Sequence, residues 1–332
     1  MTGRRRYFVV GGAGFIGSHF VDRLLAGPGE SEVVVYDNFS SGQRWHLARH
    51  GESPRLRVVP GDVKDLEALT AAMQGTNVVI HLASNPDIAR AALEPAIDFH
   101  EGTYLTHNVL EAMRLTGAER VLYASGSGIY GDLGQTEAGE DFGPLKPIST
   151  YGASKLAGEA LISAYCHMFG LTGRVYRFGN VVGARQTHGV GFDFLHQLRR
   201  SPTRLRILGD GRQSKSYIHV SDVIEAVLLA SERTVGRFDT YNVATGDYIS
   251  VAEIAELAVA AAGRPAGSVT FDFTGGDRGW KGDVPVVRLD TSRIRALGWR
   301  NQMSSADAMR ASLEAMVREG SAGTPAGEPG TR

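Results

Sequence analysis

The chain is poor in cysteine and carries no surplus of either charge. Cys166 is its only cysteine, so no internal disulfide and no cysteine-rich metal site can form. Lysine plus arginine number 35 and aspartate plus glutamate 36, a net charge of −1. That balance gives no electrostatic footprint for nucleic acid. Arg4-Arg5-Arg6 reads as a short solvated segment rather than a binding arm. No apolar run reaches membrane-spanning length, and no apolar leader precedes the first strand-like segment. The expectation is a cytoplasmic protein with no membrane partner and no metal. The 42% hydrophobic and 21% charged residues are ordinary for a globular chain, and 332 residues suffice for one large or two modest domains.

Glycine, by contrast, is concentrated where it is informative. Gly11-Gly12-Ala13-Gly14-Phe15-Ile16-Gly17 follows the apolar run Tyr7-Phe8-Val9-Val10 and precedes a helical pattern from Ser18 to Leu25. A second apolar run, Val33-Val34-Val35-Tyr36, ends in Asp37, twenty positions after Gly17. Strand, glycine turn, helix, strand and acid together make the layout of a dinucleotide-binding βαβ unit. Gly11 suits the tight turn, Gly14 the approach of a pyrophosphate to the helix N-terminus, and Gly17 the packing of helix on strand. A carboxylate at Asp37 accepts bonds from ribose hydroxyls and disfavours a 2′-phosphate, which favours NAD; Arg44 nearby keeps NADP open.

Strand-like segments at 7–10, 33–36, 56–59, 78–82, 120–125 and 174–178 alternate with helical ones at 15–26, 65–74, 101–116 and 150–169. Such alternation implies a parallel sheet covered on both faces, with ligands at the carboxyl ends of its strands. Beyond about residue 180, glycine and proline punctuate shorter elements, with helices expected at 221–232, 250–263 and 304–318. The expected division is a cofactor-binding domain over 1–180, to which later segments partly return, a substrate-binding domain over 181–319, and a disordered tail over 320–332.

Tyr151-Gly152-Ala153-Ser154-Lys155 opens the helix expected at 150–169. Tyrosine and lysine at i and i+4 share a helix face. An ammonium beside a phenol stabilises phenolate and lowers its pKa, making the phenol a general base near neutral pH. Tyr165, Met168 and Phe169 read as helix core rather than cofactor contacts.

With these residues the chain resembles the extended short-chain dehydrogenase/reductase family, specifically its nucleotide-sugar 4-epimerases and dehydratases, over roughly residues 6 to 300. The resemblance rests on Gly11 to Gly17, Tyr36-Asp37-Asn38, Gly61-Asp62-Val63, His81-Leu82-Ala83-Ser84, Ser125 to Gly131, Tyr151 to Lys155, Asn180-Val181-Val182-Gly183, and Gly209-Asp210-Gly211 continuing to Tyr217-Ile218-His219-Val220. It implies an α/β fold: a Rossmann doubly wound parallel sheet with a smaller C-terminal substrate-binding α/β domain. It implies NAD held by Gly11, Gly14, Phe15, Ile16 and Gly17, by Asp37, Asn38, Ser41 and Gly42, by Asp62 and Val63 at the adenine, and by Leu82, Ala83 and Ser84. Tyr151 and Lys155 belong to both the cofactor and the catalytic set. On the substrate side it implies Asn180, Lys215 and Lys281 at a diphosphate, a wall from Leu205 to Leu208 near the base, and Val287 gating bulk on the sugar. Arg185 and Arg278 are further cation candidates, and Arg185 could pair a sugar C6 carboxylate. The resemblance also implies a homodimer through the helices at 101–116 and 150–169. The latter carries a stripe of Leu156, Ala160, Leu161, Ala164 and Met168.

Two departures from the family pattern stand out. The usual Ser or Thr of the loop before Tyr130-Gly131 is Gly126, which leaves Ser127, or else Ser125, to supply a hydroxyl beside Tyr151. A usual asparagine is Gly102, and Asn108 lies at the wrong helical position to replace it. Related dehydratases carry an acid pair after that Ser or Thr, and related decarboxylases a glutamate in the same loop; here the stretch is Ser127-Gly128. The expected activity is therefore NAD-dependent UDP-sugar 4-epimerisation, of glucose/galactose or glucuronate/galacturonate. A dehydratase, a 4-ketoreductase and a catalytically weak binding protein are the alternatives.

Overall fold

The computed structural model describes residues 5–27, 31–85, 89–280 and 282–321. The first half contains β1 (Arg6–Val10), α1 (Phe15–Ala26), β2 (Glu32–Asp37), β3 (Leu56–Pro60), α2 (Leu66–Met73), β4 (Val78–His81), α3 (Tyr104–Thr116), β5 (Arg120–Gly126), β6 (Glu137–Ala138), α4 (Thr150–Phe169) and β7 (Thr172–Phe178). The second contains β8 (Asn180–Val182), α5 (Val190–Arg200), β9 (Arg204–Ile207), β10 (Ser214–Lys215), β11 (Tyr217–His219), α6 (Val220–Arg233), β12 (Phe238–Val243), β13 (Ile249–Ser250), α7 (Val251–Ala261), β14 (Thr270–Phe273), β15 (Arg288–Leu289), α8 (Ser292–Ala296) and α9 (Ser305–Ser321).

Seven parallel strands form one sheet in the order β12-β7-β5-β4-β1-β2-β3. The apolar runs of the inner strands β1, β2, β4, β5 and β7 are buried on both faces, as a helix-covered parallel sheet requires. One core joins α1 and α6 to the sheet; another joins α2, α3 and α4 to its other face. The strand order reverses between β1 and β4, and this switch point opens a crevice at the carboxyl ends. A third core, built by α5, α7, α9, β9 and β11, stands beyond that edge.

The six expected strands are present; a seventh, β12, was not expected. Its mixed sequence Phe238-Asp239-Thr240-Tyr241-Asn242-Val243 lacks an apolar run because it is an edge strand. Helix α5 was also missed, amid the glycines of the second half. The helix expected from 101 is instead a π-helical turn, Phe99–Thr103, leading into α3. Helix α9 runs through Ser321, two residues into the expected tail; residues 322–332 lie outside the described residues. Helix α4 matches its expected bounds. Ser149 caps it by accepting from the Gly152 amide at 3.1 Å, and Gly170 ends it in the left-handed region at φ +77°.

Tyr165 is buried, but Met168 and Phe169 are 72% and 46% exposed, so these two do not belong to the core. They lie in the last turn of α4. Among the described residues no helix is long and apolar enough to cross a membrane.

Candidate active site

A cleft of about 780 Å³ runs from the glycine turn after β1 to the start of α5. Gly11 makes its turn at φ +79°, where a Cβ would lie 2.9 Å from the Ala83 amide nitrogen. A Cβ on Gly17 would lie 2.2 Å from the Gly11 carbonyl oxygen, so the helix can pack this closely on the turn only through glycine. No side chain caps α1 at Gly14, which leaves its N-terminus to an anion. The Asp37 carboxylate accepts from the amides of Ala13 (2.9 Å) and Phe39 (2.8 Å). Burial raises its pKa against those two bonds. Asn38 donates to Asp62 at 3.2 Å, joining the turns after β2 and β3. Arg44 lies over the Phe39 ring at 4.4 Å and is not among the residues lining the cleft.

Gly11, Gly14, Phe15, Ile16, Gly17, Asp37, Asn38, Ser41, Asp62, Val63, Leu82, Ala83 and Ser84 all line this cleft. Gly42 does not; a Cβ there would meet the Asp37 carboxylate oxygen at 2.7 Å, so it supports that acid from behind. Asn108 is buried and donates to the Val63 carbonyl at 3.0 Å, bracing the loop of Asp62 and Val63. A Cβ on Gly102 would lie 2.1 Å from the Ser154 hydroxyl, so a larger residue there would displace that side chain.

At the centre of the cleft stand Tyr151 and Lys155, one turn apart on α4. Lys155 Nζ donates to the Ala124 carbonyl at 2.8 Å and sits 5.5 Å from the Tyr151 ring. Burial brings its pKa down to about 8. Burial pushes the Tyr151 phenol pKa up to about 12. The expected lowering of Tyr151 is not met: loss of solvent outweighs any help from the ammonium.

Of the two candidate serines, Ser127 and Ser125, both line the cleft. Ser125 is buried and donates to Glu159, whose carboxylate forms a buried ion pair with Arg177 at 2.8 Å. Ser127 is half-buried on the wall near Tyr151.

The far wall corrects several expectations. Asn180, Lys215 and Val287 line it as expected, and Lys215 pairs with buried Asp283 at 2.6 Å. Arg185 does not face the cleft. It turns away at φ +64°, pairs with Asp22 of α1 and donates to the His46 carbonyl, so it locks this loop to the first half. Leu205 is fully buried in the third core; alternation along β9 turns Arg206 to the cleft instead. Arg278 pairs with Asp132 at 2.6 Å and is not among the lining residues, whereas Trp280 is. Lys281 lies outside the described residues. Reading also missed Gln186, Gly189, Gly191, Asp193 and Gln197 at the start of α5, because the helix itself went unread.

A family model described as "NAD dependent epimerase/dehydratase family" matches residues 7–244. The chain belongs to this family. Its cofactor is NAD, and the glycine turn, the uncapped α1 N-terminus and Asp37 fit that group. A UDP-glucose 4-epimerase of Mycolicibacterium smegmatis is 33% identical over 318 residues, spanning 93% of this chain and 97% of the relative. A solved structure described as a UDP-galactose 4-epimerase is 37% identical with a TM-score of 0.84, covering 95% of this chain and 99% of the other. A dTDP-glucose 4,6-dehydratase from Streptomyces venezuelae, solved with NAD bound, is 29% identical with a TM-score of 0.86, covering 95% of this chain and 98% of the other.

Proposed function

We propose that this enzyme is a UDP-hexose 4-epimerase. The observation that carries this reading is the end of β5 with the turn that follows it. It enters the cleft as Ser125-Gly126-Ser127-Gly128, with no carboxylate to remove a sugar C5 proton or protonate a leaving hydroxyl. What remains beside the sugar position is a phenol, an ammonium and a hydroxyl. Bound NAD would supply a hydride acceptor and donor for sugar C4. Tyr151 takes the O4 proton as C4 is oxidised and returns it from the same oxygen after the 4-keto sugar has turned. Lys155 holds the phenolate electrostatically, and Ser127 supplies a hydrogen bond to O4.

Residues 1–180 are taken as the cofactor-binding domain and 181–319 as the nucleotide-sugar domain, with Asn180, Lys215 and the start of α5 at the diphosphate. The glucuronate reading loses its residue, since Arg185 is held by Asp22. Val287 lines the cleft and is of medium bulk, which leaves room for an N-acetyl group. A homodimer is supported by the outward Ala160, Ala164 and Met168 of α4.

UDP-glucose, UDP-N-acetylglucosamine, UDP-glucuronate and dTDP-glucose, each followed by NMR of its product, test the assignment. Inversion at C4 of UDP-glucose is the expected result. A 4-keto-6-deoxy sugar, or a pentose formed by loss of carboxylate, overturns it.

A further inference from the structure

Tyr151 stands at the weakest point of its helix. It belongs to the first turn of α4, where backbone amides lack partners within the helix and Ser149 caps only one of them. A buried carboxylate outside the motif reaches this turn. Asp98, just before the π-helical turn, accepts from the Thr150 hydroxyl at 2.7 Å with one oxygen and from the Asn85 side-chain amide at 2.8 Å with the other. Thr150 precedes Tyr151, and Asn85 ends the cleft-lining run that begins at Leu82 after β4. Further along the same segment, Thr103 donates to Ser154 at 3.2 Å, so residues 98–103 grip the first turn of α4 twice. Both partners of the carboxylate are neutral; among the described residues no lysine, arginine or histidine pairs with it. A buried charge without an ion pair is costly, and such groups concentrate where chemistry needs them.

We propose that Asp98 is a positioning residue for Tyr151 and Lys155: its carboxylate fixes the first turn of α4 against the loop after β4, so that the phenol and the ammonium one turn beyond keep their places. The inference deepens the 4-epimerase reading and rests on it for the reaction served. No bond forms or breaks at Asp98; the proton passes between substrate O4 and Tyr151 Oη. A carboxylate suits the task because it accepts from both donors at once, whereas an asparagine accepts with only one of its two terminal atoms.

The charge of Asp98 gives the effect a direction. Lys155 Nζ lies 5.5 Å from the Tyr151 ring and 5.1 Å from that of Tyr123 on β5, with His81 of β4 and Glu159 of α4 as the other titratable groups around it. Burial lowers the Lys155 pKa, and Glu159 and Asp98 raise it. Glu159 is itself paired with Arg177 at 2.8 Å, and Glu101, on the same segment as Asp98, is paired with Lys64. Removing the Asp98 charge alone therefore lowers the pH at which Lys155 titrates. Loosened packing does the reverse, since water admitted to the site relieves the burial of the ammonium.

Two variants of the whole chain, loaded with NAD, separate the tie from the charge. Thr150→Val keeps the charge and loses the bond; Asp98→Asn keeps the size and loses the charge. One measurement is kcat and KM for UDP-glucose. The other is the titration of the Lys155 Cε resonance in protein labelled with 13C-lysine, assigned by its absence from Lys155→Met. Thr150→Val should lower kcat about 10-fold with KM unchanged, and Thr150→Ser should restore it. Asp98→Asn should lower kcat by a similar factor and move the Lys155 midpoint down by about one pH unit. Thr150 is exposed, so its variants keep the proposal testable should Asp98→Asn not fold. Unchanged kcat in Thr150→Val overturns the proposal, as does a Lys155 midpoint in Asp98→Asn that stays or rises. The resonance is read without sugar, so an absence of epimerase activity is distinguishable from failure of this inference.

Discussion

The two walls of the cleft are built differently. The cofactor wall consists of short turns at the ends of β1, β2, β3 and β4, each adjacent in sequence to the strand that aims it. The substrate wall gathers Asn180, the start of α5, Arg206, Lys215 and the 279–287 segment from separate elements around a third core. A side chain on the first wall is positioned by its own loop; one on the second is positioned by packing between distant segments. Of the residues expected on the first wall only Gly42 stands behind it. On the second wall Arg185, Leu205 and Arg278 are elsewhere.

The sharpest break would come where the walls meet. Tyr151→Phe should fold and hold NAD but lose about 10²–10⁴-fold in turnover, the usual range for general acid–base catalysis. Near wild-type turnover would dissolve the assignment.

On the cofactor wall, Asp37→Ala removes the group expected to receive the ribose hydroxyls. NAD affinity should fall about 10-fold or more and discrimination against NADP should relax, as titration with each cofactor would reveal.

On the substrate wall, two cations should separate cleanly. Lys215→Ala should raise KM for UDP-glucose about 10-fold, the scale of one charged hydrogen bond. Arg185→Ala should lower the melting temperature, through its lost pair with Asp22, with little change in KM. If the KM effects were reversed, the contrast between the walls would be misassigned.

The smallest effect is a slope with pH. His81 is buried under the cofactor wall, and burial brings its pKa down to about 3 from 6.5. The unfolded chain therefore binds more protons between those values, so stability is full above pH 6.5 and falls as pH drops toward 3. The contribution is at most about 1.4 kcal/mol per pH unit. Chemical denaturation of wild type and His81→Gln at several pH values should show a shallower acid slope in the variant.

The alternation of apolar runs with amphipathic segments determined the parallel sheet from the sequence alone, because strands buried on both faces must be continuously apolar. The glycine turn and the Tyr151–Lys155 pair were legible for a similar reason: their geometry is set within one turn of chain. Edge strand β12 escaped because partial exposure breaks the apolar pattern, and helix α5 because Gly189 and Gly191 at its start read as loop. The tertiary structure alone decided that Arg185 serves Asp22 and that Arg206 rather than Leu205 faces the cleft. The first joins segments far apart in sequence and the second depends on which face of β9 the third core covers, and local spacing carries no record of what packing will bring against a side chain.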